Sequence, residues 1–178
     1  LMSNTYSRYV ASTTGDVELV FAKWQILVNN DDITSGNTST INITPIIEES
    51  QNTTNDKIAP SSKGYFDINI DPQNVGVSFD YSIDLEVLNE NMPDLLITKY
   101  AILDNDYVEG DEITTVNLEN NQINNSLEID KSVENYTFEP FTIRVFFEWY
   151  EGENEQMDDA QDTLVAQQAQ ENNENLKI

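Results

Sequence analysis

Residues 75–87 read VGVSFDYSIDLEV, a strict alternation of apolar and small or polar residues. Every odd-numbered position, from Val75 through Phe79 to Val87, is apolar, and every position between them is Gly, Ser, Asp or Glu. Successive side chains of a β-strand point to opposite faces, so this alternation predicts one face in a core and the other in water. The period does not fit a helix, and a half-buried β-strand is therefore predicted.

The same alternation recurs elsewhere along the chain. Residues 141–149 (FTIRVFFEW) place Phe141, Ile143, Val145, Phe147 and Trp149 on one face, and a third strand carries Val20, Ala22, Trp24, Ile26 and Val28. Shorter candidates are Ile41–Ile43, Phe66–Ile70, Leu95–Leu103, Ile113–Leu118 and Leu127–Ile129. Many short strands separated by Asn, Asp and Pro turns predict an all-β fold, an antiparallel β-sandwich of jelly-roll type.

Two segments lie outside this pattern. Residues 157–171 are rich in helix formers behind Asp158 and Asp159, which predicts one short acidic helix near the C-terminus, with an acidic flexible loop as the alternative. Residues 1–13 are predicted to be an N-terminal extension ahead of a single β-sandwich domain at 14–178. The predicted core combines facing strands: Phe79, Tyr81, Ile83, Val145, Phe147, Trp149 and Trp24.

The composition excludes several classes of function. The 178 residues include 33 Asp and Glu against 8 Lys and Arg, for a net charge of −25, with no Cys and no His. So few basic residues cannot form a phosphate-binding patch, and anionic lipid would repel this surface. From the charge we expect a protein that binds no nucleic acid and does not insert into membranes. Because thiolate, imidazole and Cys/His metal chemistry are absent, we also expect that it is not an enzyme.

One acidic loop resembles a calcium site in part. Asp104, Asp106 and Asp111 supply hard oxygen ligands, but Val108 stands where a fifth ligand is expected and Gly110 falls one place late. An ordinary solvated loop is the alternative. No cofactor is predicted, and calcium is the one ion that the pattern leaves open.

Five stretches, in their order, resemble the TasA/camelysin family of secreted biofilm-matrix proteins. They are residues 20–24 (VFAKW) after Arg8-Tyr9, residues 58–68 (IAPSSKGYFDI), residues 77–83 (VSFDYSI), residues 142–149 (TIRVFFEW) and residues 158–163 (DDAQDT). The resemblance implies export through the signal peptidase SipW, a jelly-roll-like sandwich, and matrix fibres built by donor-strand exchange. It also implies a final strand beyond Ile178. A metalloprotease activity described for camelysins has no counterpart here, since the chain has no His.

The N-terminal extension is predicted to be the donor strand. Met2, Tyr6 and Val10 recur every fourth position and would share one face of an extended segment, with Leu1 and Tyr9 adding apolar bulk. We therefore expect an extracellular, secreted or cell-surface, structural subunit that polymerises head to tail with copies of itself, with matrix or accessory proteins as further partners. The alternatives are a frayed terminus and a monomeric adhesin or a calcium- or carbohydrate-binding module.

Overall fold

The computed structural model describes residues 9–11, 25–34, 43–48, 58–86, 93–153 and 155–172. Within these ranges the chain forms ten strands and one helix. In chain order they are β1 (Tyr9–Ala11), β2 (Leu27–Val28), β3 (Asp31–Asp32), β4 (Ile46–Ile47), β5 (Lys63–Asp71), β6 (Phe79–Asp84), β7 (Leu95–Asp104), β8 (Val116–Asn117), β9 (Gln122–Leu127), β10 (Phe141–Trp149) and α1 (Asp159–Asn172).

The strands form two sheets. The larger sheet has the order β3-β2-β5-β10-β7-β8, with β4 also paired to β5, and the smaller has the order β1-β6-β9. All pairings are antiparallel except that of β1 with β6, which is parallel. Between β5 and β10 the chain crosses twice to the smaller sheet, at β6 and at β9, and returns each time to the larger sheet. Neither sheet is therefore a simple meander.

The core lies between the sheets, as the alternation predicts. In β10, Ile143, Val145, Phe147 and Trp149 are each at most 3% exposed, and they join one apolar cluster with Phe79 and Tyr81 of β6. Ile83 is partly buried against that cluster, and Trp24 lies outside the described residues. The predicted all-β sandwich with a short helix near the C-terminus is confirmed.

A β-bulge changes the phase of β7. The register with β10 runs from Phe146 opposite Lys99 directly to Phe147 opposite Ile97, which leaves Thr98 as the extra residue. One added residue turns the following side chains to the opposite face. Leu95 and Ile97 therefore belong to the core cluster, whereas Ala101 and Leu103 are buried but lie outside it.

Several predicted strand bounds need correction. Of residues 75–86 only Phe79–Asp84 are strand, and Val87 lies outside the described residues. The strand predicted at Leu127–Ile129 lies earlier, at Gln122–Leu127. Asn is depleted in strands, so Gln122–Leu127 gives no strand signal, and its pairing with β6 overrides that weak preference. Of residues 113–118 only Val116–Asn117 are strand. Of the strand predicted at Ile41–Ile43 only Ile43 is described, and it lies outside any strand; the nearest strand is Ile46–Ile47. Residues 20–24 lie outside the described part of the chain.

The predicted helix spans Asp159–Asn172. Asp158 caps it, because its Oδ1 accepts hydrogen bonds from the backbone N–H groups of Ala160 and Gln161 at 3.1 and 2.9 Å. The Gln161 side chain accepts the Asp158 N–H in return, which completes a reciprocal capping box. In the part of the chain that the structure describes, no helix has the length and apolarity needed to cross a bilayer.

Candidate functional sites

The most unexpected side chain is Arg144, in the middle of β10. Its position in the strand alternation predicts exposure to water, yet only 5% of it is exposed, so that prediction is wrong. Its Nε and Nη2 donate to the two carboxylate oxygens of Asp67 at 2.8 and 2.9 Å, and Nη1 donates to Glu109 at 3.2 Å. The guanidinium carbon lies 4.0 Å from the centre of the Tyr65 ring.

These contacts explain how a charge is tolerated there. A bidentate carboxylate, a second carboxylate and an aromatic face together compensate for lost hydration. The hydrogen bonds to Asp67 raise the pKa of Arg144, so the group stays charged, and burial raises the pKa of the Tyr65 hydroxyl. Glu109 belongs to the loop after β7, so Arg144 fastens this loop to the outer face of the larger sheet.

Arg144 also borders a polar cleft of about 320 Å³ on that outer face. The sheet forms its floor with Asn69 and Thr142, and Asn30 and Asn105 contribute amide groups from two turns. Thr142 Oγ1 donates to Asn69 Oδ1 at 2.8 Å, which fixes the floor. Amides and carboxylates on a shaped surface are groups that bind hydroxyl-rich ligands.

The predicted calcium loop lies at the rim of the same face. Asp104, Asp106 and Asp111 are all exposed, and the loop is closed by its own backbone: Tyr107 N–H donates to Asp104 at 3.1 Å. The Asp111 carboxylate accepts the Val108 N–H at 3.0 Å, and Gly110 takes φ +104°, a conformation that favours glycine. Among the described residues, no three acidic side chains are placed to share a metal ion.

A second, apolar cleft lies beside β6. It has a volume of about 180 Å³ and lies between β6 and the β2–β5 edge of the larger sheet, with Ile68, Phe79 and Ile83 among its walls. β1 pairs with β6 through Tyr9–Phe79, Val10–Asp80 and Ala11–Tyr81. The first described segment of the chain thus adds a three-residue parallel edge strand to the strand that lines this cleft.

The structure places only part of the predicted interface. Tyr9 and Val10 lie in β1, where the backbone pairing is described and the side chains are not. Leu1, Met2 and Tyr6 lie outside the described residues, as does Trp24. The predicted donor segment and the strand β6 are therefore brought together at Tyr9–Ala11, and within one chain.

Two buried carboxylates hold the C-terminal segment against the sandwich. Asp94, 2% exposed, accepts the backbone N–H groups of Gln156 and Met157 at 2.8 and 2.6 Å. Asp162 in α1, 3% exposed, accepts the Trp149 Nε1–H at 3.0 Å. The acidic stretch of residues 158–163 therefore caps α1 with Asp158 and docks it with Asp162.

Sequence reasoning missed Arg144, although one signal was available. The chain has only two Arg residues, and one of them stands inside a strand made mostly of apolar residues. Its partner Asp67 is 77 positions away, so nothing local reveals the pair. Comparison with known proteins finds no match to the chain among family models, curated proteins or solved structures.

Proposed function

We propose that this protein is an extracellular structural subunit that polymerises head to tail by donor-strand exchange into a fibre or pilus-like filament. The observation that carries the proposal is the position of β1, a three-residue parallel strand on the edge of β6 beside an apolar cleft. A ladder this short contributes few hydrogen bonds. The same segment of a neighbouring subunit can therefore replace it at that edge.

The cleft gives the incoming segment a place for apolar side chains. Its walls come from both sheets, so a donor strand that pairs along the whole of β6 would close this side of the sandwich. Because β1 pairs Val10 with Asp80, a donor strand that turns Val10 toward the cleft would pair in a register shifted by one residue from that of β1. The N-terminal residues Met2, Tyr6 and Val10 have the spacing that puts them on one face of such a strand. The resemblance to TasA/camelysin proteins points to the same mode of assembly and to a location outside the cell.

The test is deletion of residues 1–13, with negative-stain microscopy as the readout. We expect the deletion variant to remain folded by circular dichroism and to form no filaments, because it lacks the donor segment. Filaments of normal morphology from this variant would overturn the proposal.

A peptide competition provides a control in the full-length protein. A synthetic peptide of residues 1–13, added in excess, should occupy the edge of β6 and cap growing ends, which shortens filaments. A peptide of the same composition in scrambled order is the matched control, and equal shortening by both would show that the effect is not donor-strand capture.

One observation favours a second function, a monomeric adhesin or carbohydrate-binding module. The polar cleft beside Arg144 has amide side chains and a volume of about 320 Å³, at the lower end of ligand-binding clefts. A glycan array tests this function. Binding that is lost in Asn69→Ala and retained in Asn117→Ala, a residue that does not line the cleft, would support this function. Dispersed protein with no glycan signal would exclude it.

A further inference from the structure

Among the strands that the structure describes, β9 forms an outer edge of the smaller sheet, and its sequence lacks the usual protection of an edge strand. Residues 122–127 read QINNSL, with no charge and no proline, in a chain whose net charge is −25. Natural edge strands are commonly shortened, charged or bulged, because their unpaired N–H and C=O groups attract other strands. In the larger sheet the edge strands are short, and β3 consists of two Asp residues, whereas β9 has six residues in unbroken register with β6.

The hydrogen bonds of β9 show which groups face the open edge. The Ser126 N–H donates to the Asn125 side chain at 2.8 Å, and the Gln122 N–H donates to the Glu119 carbonyl at 3.1 Å. Neither N–H donates to β6, so the backbone groups of the even-numbered residues point away from the sheet. Gln122, Asn124 and Ser126 therefore present the outward row of backbone groups, at least in the part of the chain that the structure describes.

We infer that β9 pairs antiparallel with β9 of a second copy of this chain, about a two-fold axis at Asn124. In an antiparallel ladder, residues with outward groups face each other in hydrogen-bonded pairs. The register that uses all three even residues puts Asn124 opposite Asn124 of the second copy and Gln122 opposite Ser126. In this register the Gln122 and Ser126 N–H groups exchange their bonds to the Glu119 carbonyl and the Asn125 side chain for bonds to the second copy. The two smaller sheets then become one continuous sheet of six strands.

Charge opposes a second copy only weakly at this edge. On the outer face of the smaller sheet, Ser126 and Gln122 donate to Asp80 and Asp84 of β6, each at 2.6 Å, so the acidic row belongs to β6. Two β9 strands would separate the acidic rows of the two copies by three inter-strand spacings, roughly 14 Å. That distance exceeds the Debye length of about 8 Å at physiological salt, so the repulsion there is largely screened.

Self-complementary side chains add a specific contribution. Gln122, Asn124 and Ser126 carry both donors and acceptors, and rows of Asn and Gln amides hydrogen-bond along paired strands. The inference does not depend on the proposed function, because the β9 edge lies on the opposite side of β6 from β1. Donor-strand exchange would connect subunits along a filament, whereas β9 pairing would connect two chains laterally.

Sedimentation velocity of the full chain across a concentration series is the first test. We expect a reversible monomer–dimer equilibrium, which Asn124→Asp weakens at pH 8 because it places two carboxylates face to face on the axis. Added salt should partly restore that dimer by screening. The matched control is Asn117→Asp, which adds the same charge to the exposed edge strand β8 and should leave the equilibrium unchanged.

A cross-link tests the register independently of affinity. The chain contains no Cys, so Asn124→Cys is a single-cysteine variant. Hydrogen-bonded antiparallel pairs hold Cα atoms about 5.5 Å apart, within disulfide range, so mild oxidation should give a covalent dimer. Asn117→Cys should give much less.

Each result bears on one proposal only. Three results would overturn β9 pairing. They are a full chain that stays monomeric at all concentrations, an equal effect of Asp at positions 117 and 124, and equal cross-linking of Cys at these two positions. Filament formation is measured separately, by microscopy. If the Asn124→Cys variant forms filaments but does not cross-link, β9 pairing is wrong and donor-strand exchange is unaffected.

Discussion

Arg144 shows how much one residue can organise in an acidic protein. It stands in an apolar strand, yet it binds Asp67 of β5 and Glu109 of the loop after β7, and it stacks on Tyr65. Removing the cation would leave two carboxylates close together with no counter-charge from this group. The loop that carries Asp104, Asp106 and Asp111 would also lose its attachment to the sheet.

The first prediction concerns this ion pair. Arg144→Met should lower the free energy of unfolding by roughly 3 kcal/mol, the lower end for a broken buried pair, because the Asp67 side chain is 29% exposed. Arg144→Lys should recover only part of the loss, since an ammonium cannot make the bidentate contact. Urea denaturation measures both.

An exposed ion pair is the matched control for that measurement. Lys63 lies 3.7 Å from Glu148, and its side chain is 63% exposed, so Lys63→Met should change stability by at most about 1 kcal/mol. Equal losses in the free energy of unfolding for Arg144→Met and Lys63→Met would mean that burial of the Arg144 ion pair does not add to its contribution.

The second prediction is a pH dependence at Tyr81. Burial raises the pKa of its hydroxyl, and the hydrogen bond with Asn125 opposes this in part. The folded protein therefore holds the proton more tightly than the unfolded chain, whose tyrosines titrate near pH 10. The stability contribution is complete below about pH 10 and is lost as the pH rises through the folded-state pKa.

Tyr81→Phe tests that sign. Thermal melts from pH 7 to pH 11 should show a steeper alkaline loss of stability for the unmodified protein than for the variant. Any constant packing difference between them appears already at pH 7 and can be subtracted. Identical slopes above pH 10 would show that Tyr81 does not carry the effect.

At the scale of the strands, close contact at Gly64 joins three elements. Gly64 of β5 pairs with Ile47 of β4 and with Phe147 of β10. A Cβ at this position would lie 2.5 Å from the Ile46 carbonyl oxygen and 2.6 Å from Phe147 Cζ. The backbone of β4 and a fully buried ring would both have to move.

The third prediction follows from that contact. Gly64→Ala should destabilise the protein by about 1–3 kcal/mol, the usual cost of overpacking, measured by urea or thermal denaturation. Gly76→Ala is the matched control, because a Cβ there meets nothing within 4 Å. A similar change in the free energy of unfolding of both variants would mean that β4 and Phe147 shift to admit the Cβ without destabilising the protein.

The strands also show what sequence alone can predict. Alternation predicts β10 and the buried residues of β6, because each strand has one face in the core. It cannot reveal the bulge at Thr98, since one extra residue matters only through the register with β10. Alternation does not predict β9 either, because its Asn residues disfavour a strand and pair with β6 all the same. It does not predict the burial of Arg144, because the partners of that residue are 77 and 35 positions away. Of the predicted interface, only the backbone at Tyr9–Ala11 is described.

At the scale of the whole molecule, charge opposes every proposed association. A net charge of −25 means that any two copies repel at long range, whichever surfaces meet. Donor-strand exchange and β9 pairing each bring two chains into contact, and in both proposals the contact is made by backbone hydrogen bonds at strand edges. Backbone groups carry no net charge, so the repulsion comes from the surrounding carboxylates. Its strength therefore depends on the salt concentration and the pH of the solution.

The fourth prediction is therefore the condition under which filaments grow. Salt screens carboxylate repulsion beyond about 10 Å at 0.1 M, and acid removes it by protonating carboxylates that face each other across the contact. Filament growth, followed by light scattering and negative-stain microscopy, should accelerate as salt rises or pH falls, and divalent cations should act at lower concentrations than sodium. Fastest growth at low ionic strength and pH 8 would show that repulsion is not the controlling barrier. The deletion of residues 1–13 removes a single charged side chain, Arg8, and so changes the net charge only from −25 to −26. Screening should not rescue filaments in that variant, because the donor segment itself is missing.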